Sequence, residues 1–215
     1  MPLVYRIKGD SPIVDASIQK AVKALQRLGF NIVREGNHIA MLREKSEEQK
    51  SGVKKAGEDL FSFAIDRKDV KMLMAQLPEG TDIKRGTVEY ELQILKIISV
   101  GWSVSYYLEN YPQKNQLLEF YWKAVHEFSQ SISTTTGLMI GHDIDYFQVL
   151  TKRLDTYVAA MAKKPDAPEP AVVIGPEFAR TCGNVDDVFT VMTGSRMFIA
   201  TIGSVKEYLE AIKLR

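Results

Sequence analysis

The sequence predicts an α+β chain that is mainly helical: a small helix–hairpin unit at the front, an antiparallel helical bundle, and a short α/β tail. Three observations lead there. Within residues 11–43 the apolar residues change from helical spacing to strand-like runs. Four long stripes at spacings of three and four then fill residues 46–164. Finally, Pro165-Asp-Ala-Pro-Glu-Pro170 reads as a linker, and the tail beyond it mixes short strand-like and helix-like runs. The expected domains are therefore 1–45, 46–164 and 171–215.

The first helix is expected to start at Ser11-Pro12, an N-cap residue followed by Pro in the first turn. Val14, Ile18, Val22, Leu25 and Leu28 make its apolar face, and Gly29 stands just past its end. Phe30 to Arg34 reads as a strand, Glu35-Gly36-Asn37 as a turn, and His38 to Arg43 as the return strand.

In the bundle, Leu60, Phe63, Ala64, Val70, Met74 and Leu77 form one stripe, interrupted by Asp66-Arg67-Lys68-Asp69 and stopped at Pro78-Glu79-Gly80. Val88, Leu92, Leu95, Ile98, Trp102 and Tyr106 form the second, ended by Asn110-Tyr111-Pro112. The third is Leu117, Phe120, Tyr121, Val125, Phe128 and Ile132, running out in Ser/Thr-rich sequence before Gly137. Ile144, Phe147, Leu150, Leu154, Tyr157 and Met161 make the fourth, with Asp143 as its starting residue. Long stripes joined by short turns favour antiparallel neighbours. In the tail, Ala171–Ile174 and Arg196–Ile202 are expected as extended segments, Pro176–Met192 as a helix with an internal Gly183, and Ser204 as the cap of a last helix.

The chain's 28 Lys+Arg and 27 Asp+Glu give a net charge of +1. That balance is uneven along the chain. Met1 to Gly57 carries 11 basic and 6 acidic residues, and the remainder is mildly acidic. A basic front end is compatible with nucleic-acid contact. With 45% hydrophobic residues the chain is not of disordered composition. The single Cys182 cannot form an intramolecular disulfide. No apolar run reaches the roughly 18 residues of a membrane span, the longest candidate (Ile97 to Leu108) being broken by serines. The N-terminus also lacks a signal-peptide core, so a soluble cytoplasmic protein with no membrane partner is expected.

Few residues offer chemistry. His126 and His142 lack the paired Glu-x-x-His ligands of a carboxylate-bridged metal bundle, and no glycine-rich phosphate loop precedes a Lys-Ser/Thr. No metal or cofactor is expected. His38 has a different setting, at a hairpin turn between strands that carry Arg34 and Arg43. A histidine titrating near neutrality can take a proton from an RNA 2′-hydroxyl. Neighbouring arginines can hold the scissile phosphate.

From Lys23 to Arg43 the sequence resembles the HicA family of bacterial toxins, in the ordered set Gly29-Phe30, Arg34 and Gly36-Asn37-His38. The resemblance covers about residues 11–44. It implies an α-β-β-β-α fold like that of double-stranded-RNA-binding domains, and metal-independent cleavage of mRNA by attack of a 2′-hydroxyl on its own phosphate. It also implies His38 as general acid/base and a protein antitoxin that covers the site. Lys23, Arg27, Arg34, Asn37 and Arg43 are the accompanying RNA-binding candidates.

Two readings follow. In one, the protein binds RNA and acts as an endoribonuclease through its front unit. In the other it is a non-enzymatic interaction or assembly protein, self-associating through the helical bundle.

Overall fold

The computed structural model describes residues 31–35, 38–42, 44–79, 83–140 and 144–213. The chain divides into two units, 1–54 and 55–215. In the first, β1 (Asn31–Glu35) and β2 (His38–Leu42) pair antiparallel, with Asn31 opposite Leu42 and Glu35 opposite His38. The helix expected over residues 12–29 lies outside the described residues.

Seen in chain order, the helices are α1 (Glu44–Ile65), α2 (Lys68–Ala75), α3 (Arg85–Tyr107), α4 (Lys114–Ile140), α5 (Tyr146–Ala162), α6 (Ala171–Thr181) and α7 (Val188–Ala211). In the second unit α3 is the central element, packed against α2, α4, α5, α6 and α7. Its sequence dictates this position. Every residue from Ile94 to Gly101 is buried, so the helix has no solvent face over two turns. A helix apolar all round finds its minimum only when surrounded. The serines that interrupt this run fit because their hydroxyls bond backward along the helix, Ser99 to Leu95 O at 2.7 Å and Ser103 to Ser99 O at 2.6 Å.

Two charged side chains enter this core already partnered. Lys96, 1% exposed, donates to Asp69 Oδ2 at 2.7 Å and to the Asp66 carbonyl at 2.9 Å. Its Nζ also lies 4.3 Å from the Phe63 ring centre. The acidic–basic interruption between α1 and α2 is thus the place where the Lys96 ammonium is satisfied. On the opposite flank Glu91 accepts two bonds from Arg153 of α5, at 2.9 and 2.7 Å.

The fold class is corrected from α+β to helical. The tail expected as α/β is two helices: Ala171–Ile174 opens α6, and Arg196–Ile202 lies inside α7. The expected hairpin amounts to no more than a two-stranded ribbon among the described residues. β1 and β2 pair only with each other, and no third strand joins them among the described residues. A lone two-stranded ribbon is marginal in water. The α-β-β-β-α arrangement implied by the front resemblance therefore has no counterpart among the described residues.

The break between α6 and α7 is set by local backbone chemistry. Gly183 sits at φ 75°, its N–H donates to Arg180 O (3.0 Å), and the Asn184 N–H reaches Ala179 O (2.8 Å). These two bonds are the Schellman pattern, which a left-handed glycine completes. Asp187 then caps α7, accepting from the Thr190 N–H at 2.6 Å. Gly203-Ser204, expected as a boundary, lies within α7. Two other glycines let α6 and α7 approach closely. A Cβ on Gly175 would stand 2.7 Å from Val191 O, and one on Gly194 would stand 2.5 Å from the Phe178 ring.

Candidate functional site

Of the residues singled out in the front unit, the structure describes two. His38 opens β2 opposite Glu35, and Arg34 pairs with Ile39. These are consecutive rungs of the ribbon. Lys23, Arg27, Asn37 and Arg43 lie outside the described residues, as does His142. His126 is exposed on α4, with its ring edge-on to Phe147 at 4.8 Å. Among the described residues no group of three or more His, Cys, Asp or Glu side chains could hold a metal ion.

The second unit carries two features that sequence reasoning missed. The first is the outer face of α7. Val188, Phe189, Met192 and Ile199 are all large, apolar and exposed, with Val185 just ahead of the helix and Val172 on neighbouring α6. Their spacing follows one face of a helix, opposite the buried Thr190, Thr193, Met197, Phe198, Thr201 and Val205. The same helix is the one described element long and apolar enough to cross a membrane by length and composition, with 39% of its most apolar stretch buried. The signal was present in the sequence. It was hidden because the stripe was divided between an expected helix ending at Met192 and an expected strand starting at Arg196.

The second feature is a cleft of about 430 Å³ bordered by Ile65, Arg67, Glu89, Tyr90, Gln93, Phe128, Ile132, Thr136 and Tyr146. Helix spacing builds its walls. Gly86, Glu89, Tyr90 and Gln93 recur along α3, and Phe128, Ile132 and Thr136 recur at intervals of four along α4. Tyr90 and Tyr146 meet edge to face, with ring centres 6.0 Å apart. Burial holds the Tyr146 phenol well above its ordinary range, reinforced by the neighbouring Tyr90 and the Glu91 carboxylate. At the side of the cleft Arg67 and Glu89 form an ion pair. Gln93 is fixed by donating its Nε2 to Ala64 O at 2.8 Å.

Tyr157 and Cys182 both lie close enough to Glu91 to feel its charge. Tyr157, 1% exposed, has a hydroxyl with no hydrogen-bond partner among the described residues, and burial raises its phenol strongly. Burial also pushes the Cys182 thiol up to about 12, assisted by the Glu91 carboxylate. A thiol held in that state is inert as a nucleophile.

No family model matches the chain, and no curated protein or solved structure matches it either.

Proposed function

We propose that the protein is a non-enzymatic assembly protein that associates with a second copy of itself through the outer face of α7. The observation that carries this reading is the exposed stripe Val188, Phe189, Met192 and Ile199. Apolar side chains gathered on one face gain roughly 25 cal/mol per Å² when a partner removes them from water. Opposite charges border the stripe, Asp186 and Asp187 at its start and Arg196 within it, all in a single chain. Two copies packed antiparallel across this face set Arg196 of each toward the acidic end of the other, a self-complementary arrangement of the kind a two-fold interface requires.

Sedimentation velocity over a concentration series tests the reading. A dimer is expected, and the double substitution Phe189→Glu and Met192→Glu is expected to convert it to monomer without changing its tryptophan fluorescence. A protein that stays monomeric at every concentration, or a dimer indifferent to both substitutions, overturns it.

The ordered Gly29-Phe30, Arg34 and Gly36-Asn37-His38 residues, with the basic charge of residues 1–57, favour a second reading in which the front unit binds RNA. If Lys23, Arg27, Arg34 and Arg43 all contact phosphates, binding to a single strand should weaken with a log–log salt slope of about −3. RNA cleavage that persists equally in His38→Ala would remove its catalytic form, and absent or salt-insensitive binding would remove the reading altogether.

A further inference from the structure

We propose that the cleft between α3 and α4 is a binding site for a small, uncharged, flat aromatic molecule carrying a hydroxyl group at one edge. The site is independent of the α7 face and of the front unit. Its volume, about 430 Å³, falls among cavities that enclose small organic ligands (about 300–1,000 Å³). Its lining has the matching character, with Tyr90, Tyr146, Phe128 and Ile132 supplying ring faces, ring edges and an aliphatic wall.

Polar groups in the cleft divide into those already committed and those left over. The Arg67 guanidinium and the Glu89 carboxylate satisfy each other, so the site offers no unpaired charge and does not favour an ionic ligand. Gln93 donates its Nε2 to the Ala64 carbonyl, which leaves its Oε1 buried with no hydrogen-bond partner among the described residues. The hydroxyls of Tyr146 and Thr136 border the same cleft. A buried acceptor left unpaired costs about 1–3 kcal/mol, which a bound donor would recover. A ligand hydroxyl is such a group, since it can donate to Gln93 Oε1 and accept from the Tyr146 or Thr136 hydroxyl. The remaining surface asks for a flat apolar body that slides between the Tyr90–Tyr146 pair and the Phe128–Ile132 wall.

The test is a titration of the full-length protein with 2-naphthol, followed by amide chemical shifts. Saturable shifts centred on Tyr90, Phe128, Ile132, Thr136 and Tyr146 are expected. Tyr146→Phe keeps the ring and removes the hydroxyl, and should weaken binding by about 2- to 10-fold, the worth of one neutral hydrogen bond. Ile132→Trp should fill the cleft and abolish binding. Because a large side chain can disturb packing, Thr136→Val serves as a second, conservative variant with the same expected weakening as Tyr146→Phe. Absence of saturable shifts, shifts centred elsewhere, or unchanged affinity in both Tyr146→Phe and Thr136→Val would overturn the proposal.

Discussion

Replacing Arg153 by Met asks whether the ion pair between α3 and α5 holds the helical unit together or merely occupies it. The Glu91 side chain is 3% exposed and takes both of its strong hydrogen bonds from Arg153, at 2.9 and 2.7 Å. Methionine keeps the apolar stem of Arg153 and removes the guanidinium, leaving the carboxylate buried without a counter-charge. Breaking a buried pair in this way costs about 3–5 kcal/mol. Arg153 itself is 31% exposed, so water can reach one side of the site, which favours the lower end of that range. A loss of about 3 kcal/mol is roughly a hundredfold in the folding equilibrium. At a urea dependence of about 2 kcal/mol per molar it lowers the unfolding midpoint by about 1.5 M. Tryptophan fluorescence is the right probe, because both tryptophans, Trp102 and Trp122, lie in α3 and α4 and report on this unit alone. The decisive comparison is the double variant Glu91→Leu with Arg153→Met. An apolar pair of similar volume should recover most of the loss, giving a coupling energy of at least about 2 kcal/mol. A single-variant cost below about 1 kcal/mol, or a double variant equal to the sum of the two singles, would refute the reasoning.

Gly175→Ala should destabilise the protein by about 1–3 kcal/mol in the same assay, since its Cβ would meet the Val191 carbonyl oxygen at 2.7 Å; Gly203→Ala, inside α7 with nothing within 4 Å, should instead stabilise it by about 0.5–1 kcal/mol. Equal effects at the two positions would show that the α6–α7 approach is not tight. Alkaline pH should unfold the second unit cooperatively. Burial raises the phenols of Tyr90, Tyr121, Tyr146, Tyr157 and Tyr208 and the thiol of Cys182 above their unfolded values. Groups raised in the folded state contribute stability that is complete below their unfolded pKa and is lost as pH rises toward the folded one. The loss should begin near pH 9 with the thiol and steepen as the tyrosines follow, with tyrosinate absorbance appearing together with loss of helicity. Tyrosinate forming well before helix loss would contradict it.

Where one element's sequence decided its own conformation, the expectation and the structure agree closely. The stripes beginning at Val88, Leu117 and Ile144 become α3, α4 and α5, because each supplies enough apolar surface at helical spacing to be buried by its neighbours. The α5 cap is shifted by two residues: Asp145, which accepts from the Gln148 N–H at 2.9 Å, does the work expected of Asp143. The tail was illegible for a local reason and a distant one. Locally, Gly183 and Gly203 look alike in sequence, yet only Gly183 carries the left-handed backbone that ends a helix. At a distance, β-branched residues such as Val173, Ile174 and Thr201 favour strands in isolation, and burial of these side chains as α6 and α7 pack against α3 and each other overrides that preference. The cleft was invisible because its walls come from four segments far apart in the chain, and none carries a motif. In the front unit the singled-out residues remain a sequence argument, with only the rungs of Arg34 and His38 added by the structure.

Lys96 explains a feature that hydrophobic spacing alone cannot. An apolar side chain would suit a position 1% exposed in the most buried turn of the molecule. The lysine is tolerable there only if its ammonium is met by several acceptors at once. A continuous α1–α2 helix would commit the Asp66 carbonyl to the backbone ladder. Interrupting the helix at Asp66 and Arg67 frees that oxygen, which then accepts from Lys96 while Asp69, in the first turn of α2, supplies the counter-charge. The break is stabilised in turn by the Asp66 side chain, which accepts from the Lys68 N–H at 3.0 Å. The charged run that looks like a flaw in an amphipathic stripe is therefore the partner of a charge 27 residues away, and the two make sense only as a pair.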